Sequence, residues 1–269
     1  MSNKIRKKGL NISQDKLKKR LSGLAGVKYD LISKKSSFHK KKLKNQIKKT
    51  NKIKILVCTR NFFDAVHVFG NQLFVDNSEW LNCLGKISNV TNYDWYIKTH
   101  RSYEGKFTKY QPKSNSTIHK IIYQYPKFKI LNPDYSHRQI VSEGIDFVIT
   151  QHGSVGYEYA YLGIPVINSS VNNPQIAYNF NINPKTSTQF IKIIKNLKKI
   201  KISINKQNVS EFYFMRNLFQ DKNWFFNDLD ELMKSIDNWD GKYSYKIYNY
   251  FIKFINDNNN IKRIEKNLY

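Results

Sequence analysis

A Rossmann-like α/β layer, a parallel sheet with helical crossovers, is the fold this sequence predicts, and three observations predict it. Short apolar runs of strand length recur five times between residues 53 and 168. Stretches with apolar residues at helical spacing alternate with them. The connections are short, and parallel strands need crossovers that cover both faces of the sheet. At 269 residues the chain is long enough for one or two domains and a sizeable core. A composition of 40% hydrophobic, 14% aromatic and 25% charged residues excludes wholesale disorder. No apolar run approaches the roughly 20 residues of a bilayer span. The N-terminal charges are not followed by the apolar stretch of a secretory signal. With only Cys58 and Cys83, the chain has no disulfide framework or metal knuckle, so a cytoplasmic setting is expected.

Taken in order, residues 1–52 read as a polar, basic arm or linker. Ser13-Gln-Asp-Lys-Leu-Lys-Lys-Arg-Leu fits a short helix capped by the Ser13 hydroxyl, which Ser22-Gly-Leu-Ala-Gly then breaks. The run 39–49 has too few apolar residues to pack firmly and reads as a charged helix or a linker. Ile53-Lys-Ile-Leu-Val-Cys58 is the first strand, and Trp80, Leu81, Leu84 and Ile87 define a helix over 78–87. Strands over 93–99, 127–131, 145–150 and 164–168 follow. Helices are expected over 117–124, 135–143, 153–162 and 187–197, with a loop over 104–116. Residues 53–200 thus form the α/β domain and 201–269 a helical, aromatic extension, in which 228–239 and 243–255 are amphipathic.

Forty-six Lys and Arg against twenty Asp and Glu give a net charge of +26. Residues 1–54 hold nineteen of those basic residues and only Asp15 and Asp30. The excess fits an anionic partner, and it fits equally a solvated surface made lysine-rich by composition. No aromatic-glycine RNA motif accompanies it, so specific nucleic-acid recognition is not expected. Peripheral contact of the arm with an anionic membrane is the use its charge suggests.

Ligands of such sheets bind beyond the carboxyl ends of the strands. There, Thr150-Gln-His152-Gly153-Ser154-Val155-Gly156-Tyr157-Glu158 carries a buried strand through a glycine turn into a helix. Gly153 permits close approach of a ligand, Ser154 can cap, and the first-turn amides favour a phosphate or diphosphate. Glu158, one turn on, can accept hydrogen bonds from both hydroxyls of a ribose. The same residues also fit a tight strand–turn–helix with an ordinary cap and a surface glutamate.

These residues resemble the donor-nucleotide half of GT-B glycosyltransferases, particularly those of bacterial capsule and surface-polysaccharide synthesis and their glycerophosphotransferase relatives. His152-Gly153-Ser154 with Glu158, and Glu158 with Gly163 and Pro165, match the two signatures at this junction. Lys98-Thr99-His100-Arg101 resembles the family's Lys-Pro-His-Pro element, with Thr99 and Arg101 replacing both prolines. The resemblance covers about residues 53–200. It implies that Gly153, Ser154, Val155 and Gly156 hold the donor diphosphate and Glu158 the ribose. Arg60, His100 and Arg101 would bind phosphates or sugar, with the two arginines neutralising the departing nucleotide. His152 would face the same groups and is a catalytic candidate; Asp64, read from its own place after the first strand and not from the resemblance, is the other. Thr150 stands where retaining members often carry a second Glu, which favours inverting transfer. The implied partners are a nucleotide-sugar donor, which is a substrate and not a cofactor, and a glycan or lipid-linked acceptor. Residues 1–52 are too short and polar to be the acceptor domain, so a partner chain supplying it, or a homodimer, is implied. A nucleotide-sugar epimerase and a non-catalytic docking remnant are the alternatives.

The other candidates have plainer explanations. Asp64 and His67 follow the first strand as an acid/base pair or as loop packing. His119 and His137 read as surface or satisfied core residues, and His39 as solvated. Dispersed histidines without acidic partners make no metal site. The C-terminal aromatics read as core or interface packing.

Overall fold

The computed structural model describes residues 3–24, 36–60, 72–100, 111–219, 248–249, 252–253 and 256–262. The helices expected over 228–239 and 243–255 lie almost wholly outside them. Five strands, β1 (Lys54–Cys58), β2 (Asp94–Lys98), β3 (Phe128–Ile130), β4 (Phe147–Thr150) and β5 (Val166–Asn168), pair in parallel in the order β3-β2-β1-β4-β5. The fold is the Rossmann-like α/β layer that the alternation predicts, and each strand lies within its expected segment.

The period of two along each strand divides the core. Ile55, Val57, Trp95, Ile97, Ile149 and Ile167 face one side. There they meet α2 (Asn77–Val90), α3 (Gln111–Tyr123) and α6 (Ser187–Lys195) through Trp80, Leu84, Ile118, Ile121, Phe190 and Ile194. Leu56, Cys58, Tyr96, Val148 and Val166 face the other, against Ile140 of α4 (His137–Ser142) and Tyr159 of α5 (Val155–Tyr161). Burial on both sides is why the strands read as unbroken apolar runs. α2 starts on the cap Asp76, which accepts from the Glu79 amide at 2.8 Å, while Glu79 accepts from the amide of Val75, just before the cap, at 2.6 Å.

Three expectations need correction. Helix α1 spans Asn3–Leu21, so Ser13 is not its cap; the hydroxyl is buried mid-helix without a hydrogen bond among the described residues. The expected break does end it, with Gly23 in the left-handed region at φ +91°. Only Gly9, Ser13 and Leu17 of α1 are buried, at a spacing of four. Leu17 packs in a third cluster with Tyr157 and Ala160 of α5, Phe180, and Val209, Phe212 and Tyr213 of α7 (Lys206–Asn217). A Cβ on Gly9 would lie 2.5 Å from the Phe214 ring, so glycine there lets α1 and α7 meet closely. Of the described C-terminal aromatics, Phe212, Tyr213 and Phe214 are core, as expected, whereas Phe219 and Tyr248 are exposed.

Second, residues 36–50 are neither helix nor free linker; they form an irregular strap across α4. Phe38 and Ile47 are buried beneath it. Its backbone bonds to side chains: the Leu43 amide to Gln139 Oε1, the Gln46 amide to the Tyr135 hydroxyl, the Ile47 amide to Glu143 and the Lys48 amide to the Tyr96 hydroxyl, at 2.9–3.2 Å. Gln139 Nε2 donates back to the Leu43 carbonyl at 2.8 Å. Tyr135 and Gln139 both donate to Glu143, fixing these acceptors. Third, the latter part of the expected loop 104–116 is helical, since α3 begins at Gln111.

Candidate functional site

The strand order reverses between β1 and β4, and a parallel sheet opens its ligand crevice at such a switch point. Two segments leave the carboxyl edge there, Thr59-Arg60 after β1 and the 151–156 turn after β4. Gln72 reaches the same edge. It forms a bridge with Ser170 beyond β5, and its side-chain amide lies 2.8 Å from His152 Nε2.

Hydrogen bonds fix the 151–156 turn. The Thr150 carbonyl accepts from the Ser169 amide at 2.8 Å, the Gln151 carbonyl from Asn173 Nδ2 at 2.8 Å, and the Gly153 carbonyl from Gln175 Nε2 at 3.1 Å. Gly156 is needed because a Cβ there would overlap Gln175 Oε1. Gly153, by contrast, is exposed, and its Cβ would meet at nearest Thr150 Oγ1 at 3.4 Å. Gly163 has φ +85° in the turn from α5 to β5, and the Pro165 carbonyl accepts from Val148 as β5 begins. The Gly-x-Pro half of the signature therefore shapes the strand entry.

Ser154 is helical and makes no side-chain cap, contrary to expectation. The amides of Gly156, Tyr157 and Glu158 bond back to the Gly153 and Ser154 carbonyls. Those of Gly153, Ser154 and Val155 make no hydrogen bond to a described residue and are the donors left for a ligand.

Around them lie buried polar atoms without a hydrogen-bond partner among the described residues: Thr59 Oγ1, Gln151 Oε1, Asn168 Oδ1 and Ser170 Oγ, at the ends of β1, β4 and β5. Buried oxygens normally find partners, so their concentration on one edge marks it. Arg60, Gln72 and Gln151 line a shallow cleft with Asp76 and Asn77. Burial, then the Arg60 charge, push the His152 imidazole down to about 4, so it is neutral at ordinary pH and able to accept a proton.

Glu158 faces elsewhere. Its carboxylate is buried and accepts from Arg20 Nε of α1 at 2.5 Å, with side-chain exposures of 3% and 14%. It is not a surface glutamate. Lys98, buried at the end of β2, donates to the Pro133 carbonyl and anchors the loop after β3. His100 follows half-buried, while Arg101, Asp64 and His67 lie outside the described residues. His137 is a satisfied core residue, 2.8 Å from the Tyr159 hydroxyl and packed on Phe38. His119 is exposed. His39, expected to be solvated, is half-buried with its ring bonded to the Asp134 carbonyl at 3.0 Å. Among the described residues no three His, Cys, Asp or Glu side chains group as a metal site, and no helix is long and apolar enough to cross a membrane.

Of the residues singled out from the sequence, the fold gathers Arg60, His152 and the 153–155 amides at one edge. It missed Gln72, a lone glutamine without a motif. It also missed Arg20, whose one signal is that it is among seven arginines in a lysine-rich chain.

No protein-family model matches this chain, and no curated protein does. Among solved structures, the wall teichoic acid polymerase TagF is similar at 15% identity and a TM-score of 0.35. That match covers 64% of this chain and 40% of TagF, so this chain spans less than half the length of that protein.

Proposed function

We propose that this α/β domain binds a nucleotide sugar at the β1/β4 switch point and serves as the donor half of a glycosyltransferase acting on a glycan or lipid-linked acceptor. The observation that carries the reading is the set of buried oxygens of Thr59, Gln151, Asn168 and Ser170 that lack a partner among the described residues, beside the 153–155 amides and Arg60. Amides and a guanidinium suit a diphosphate, and hydroxyl and amide oxygens suit a sugar or ribose. Uncharged His152 at that edge can accept a hydrogen bond from an acceptor hydroxyl, while burial and Arg60 make it a weaker base than a free imidazole. Glu158 contacts ribose only once Arg20 has moved away. Transfer needs a second surface facing the edge to position the acceptor, from another chain or another copy.

Calorimetric titration of the full chain with UDP, CDP and GDP tests this. At least one should bind with micromolar to millimolar affinity, and Arg60→Ala should weaken it by roughly 1.5–3 kcal/mol, the range for a hydrogen bond to a charged group. Folded protein that binds none of the three would overturn the reading.

A further inference from the structure

The strap carries a second surface on the opposite side of its anchors. Lys40, Lys41, Lys42, Lys44, Lys48, Lys49 and Lys52 are all exposed, and 36–52 contains no acidic residue. Among the described residues none of the first six makes an ion pair. The strap is tied at His39 to the Asp134 carbonyl beyond β3, and at Thr50 to Asp94 at the start of β2. The backbone that carries this row of lysines is therefore anchored at both of its ends. At its head, Gly23 sits so close that a Cβ would lie 2.8 Å from the Phe38 carbonyl, which places Leu24, 62% exposed, beside the row.

We propose that this row is a docking face for an anionic lipid bilayer. Its chemistry favours lipid over nucleic acid. The cations are lysines, compact point charges suited to a diffuse headgroup layer, where arginine forks would suit base edges or phosphates bidentately. No exposed aromatic stands in the strap to stack on a base, whereas Leu24 supplies an apolar residue that can enter the interface. Side chains already anchor the backbone that carries these charges, so the face acts without first ordering a flexible arm.

Co-sedimentation of the full chain with vesicles of phosphatidylcholine, alone or with added phosphatidylglycerol, tests it. Binding should require phosphatidylglycerol and vanish as salt rises from about 0.1 M to about 1 M, which shortens screening from about 10 to about 3 Å. The variant K41Q/K44Q/K48Q/K49Q leaves Phe38, Leu43 and Ile47 in place and should melt at the wild-type temperature. It should bind roughly six-hundred-fold less, four lysines near the surface being worth about five-fold each. Leu24→Ser should weaken binding further without changing its salt dependence. Equal binding to both vesicle types, unchanged binding by the quadruple variant, or duplex DNA bound while the vesicles are not, would each overturn the proposal.

Discussion

Arg20 and Glu158 are worth most when considered together. Removing one partner of a buried ion pair leaves the other charge uncompensated. Arg20→Ala should therefore cost about 3 kcal/mol or more in urea unfolding. Lys18→Ala, two residues earlier on the exposed face, should stay within about 0.5 kcal/mol. Equal effects would mean that the pair is solvated. The histidines set an acid limit. Burial, then Lys98 and Arg20, push His137 down to about 3, and His152 stands at about 4. Unfolded, both take up protons near pH 6.5. Between pH 6.5 and those lower values the unfolded chain binds more protons, so stability falls as pH falls through this window. Each histidine contributes a slope of up to about 1.4 kcal/mol per pH unit, and His137→Asn should remove its share. Urea midpoints at about pH 5 and about pH 7 measure it; a wild-type protein equally stable at both contradicts neutral, buried imidazoles.

Among the elements, the strap depends most on single side chains. Gln139→Ala removes both bonds to the Leu43 backbone and should cost about 1–3 kcal/mol, with faster hydrogen exchange at the Leu43 amide. Helix α5 offers a sharper case. Glycine to alanine inside a helix normally gains about 1 kcal/mol, yet Gly156→Ala drives a methyl group into Gln175 and should destabilise by about 1–3 kcal/mol. Adding Gln175→Ala should recover part of that loss, and a stabilised single variant would refute the crowding. The strands were legible because both their faces are buried. The strap was not, because its partners lie about ninety residues on, at Tyr135, Gln139 and Glu143, and impose no local period. Much the same hid the Asn173 and Gln175 supports of the 151–156 turn, which look like ordinary members of an Asn-rich chain.

For the molecule as a whole, α1, the first described helix, is tied to α7, some two hundred residues on. Leu17 fills the α5–α7 cluster, and Arg6 bonds Glu211 at 2.6 Å. Leu17→Ala should cost about 2–5 kcal/mol and speed hydrogen exchange in α7 as well as α1. Loss of protection in α1 alone would mean that it is merely appended. The α/β layer and the location of its crevice were readable because strand order follows from chain order with short crossovers. The role of α1 was not, because of its three buried positions only Leu17 is a large apolar residue, so no hydrophobic stripe marks the buried face.

That spare apolar content matters during synthesis. Arg6 leaves the ribosome 205 residues before Glu211, about 10 to 40 s at ordinary translation rates. For that interval α1 has no helix α7 to pack on. A helix with a broad greasy face would spend the wait seeking other chains, whereas one presenting Lys4, Lys7, Lys8 and Lys18 to water stays dispersed. The charge on this helix keeps it dispersed until α7 is made.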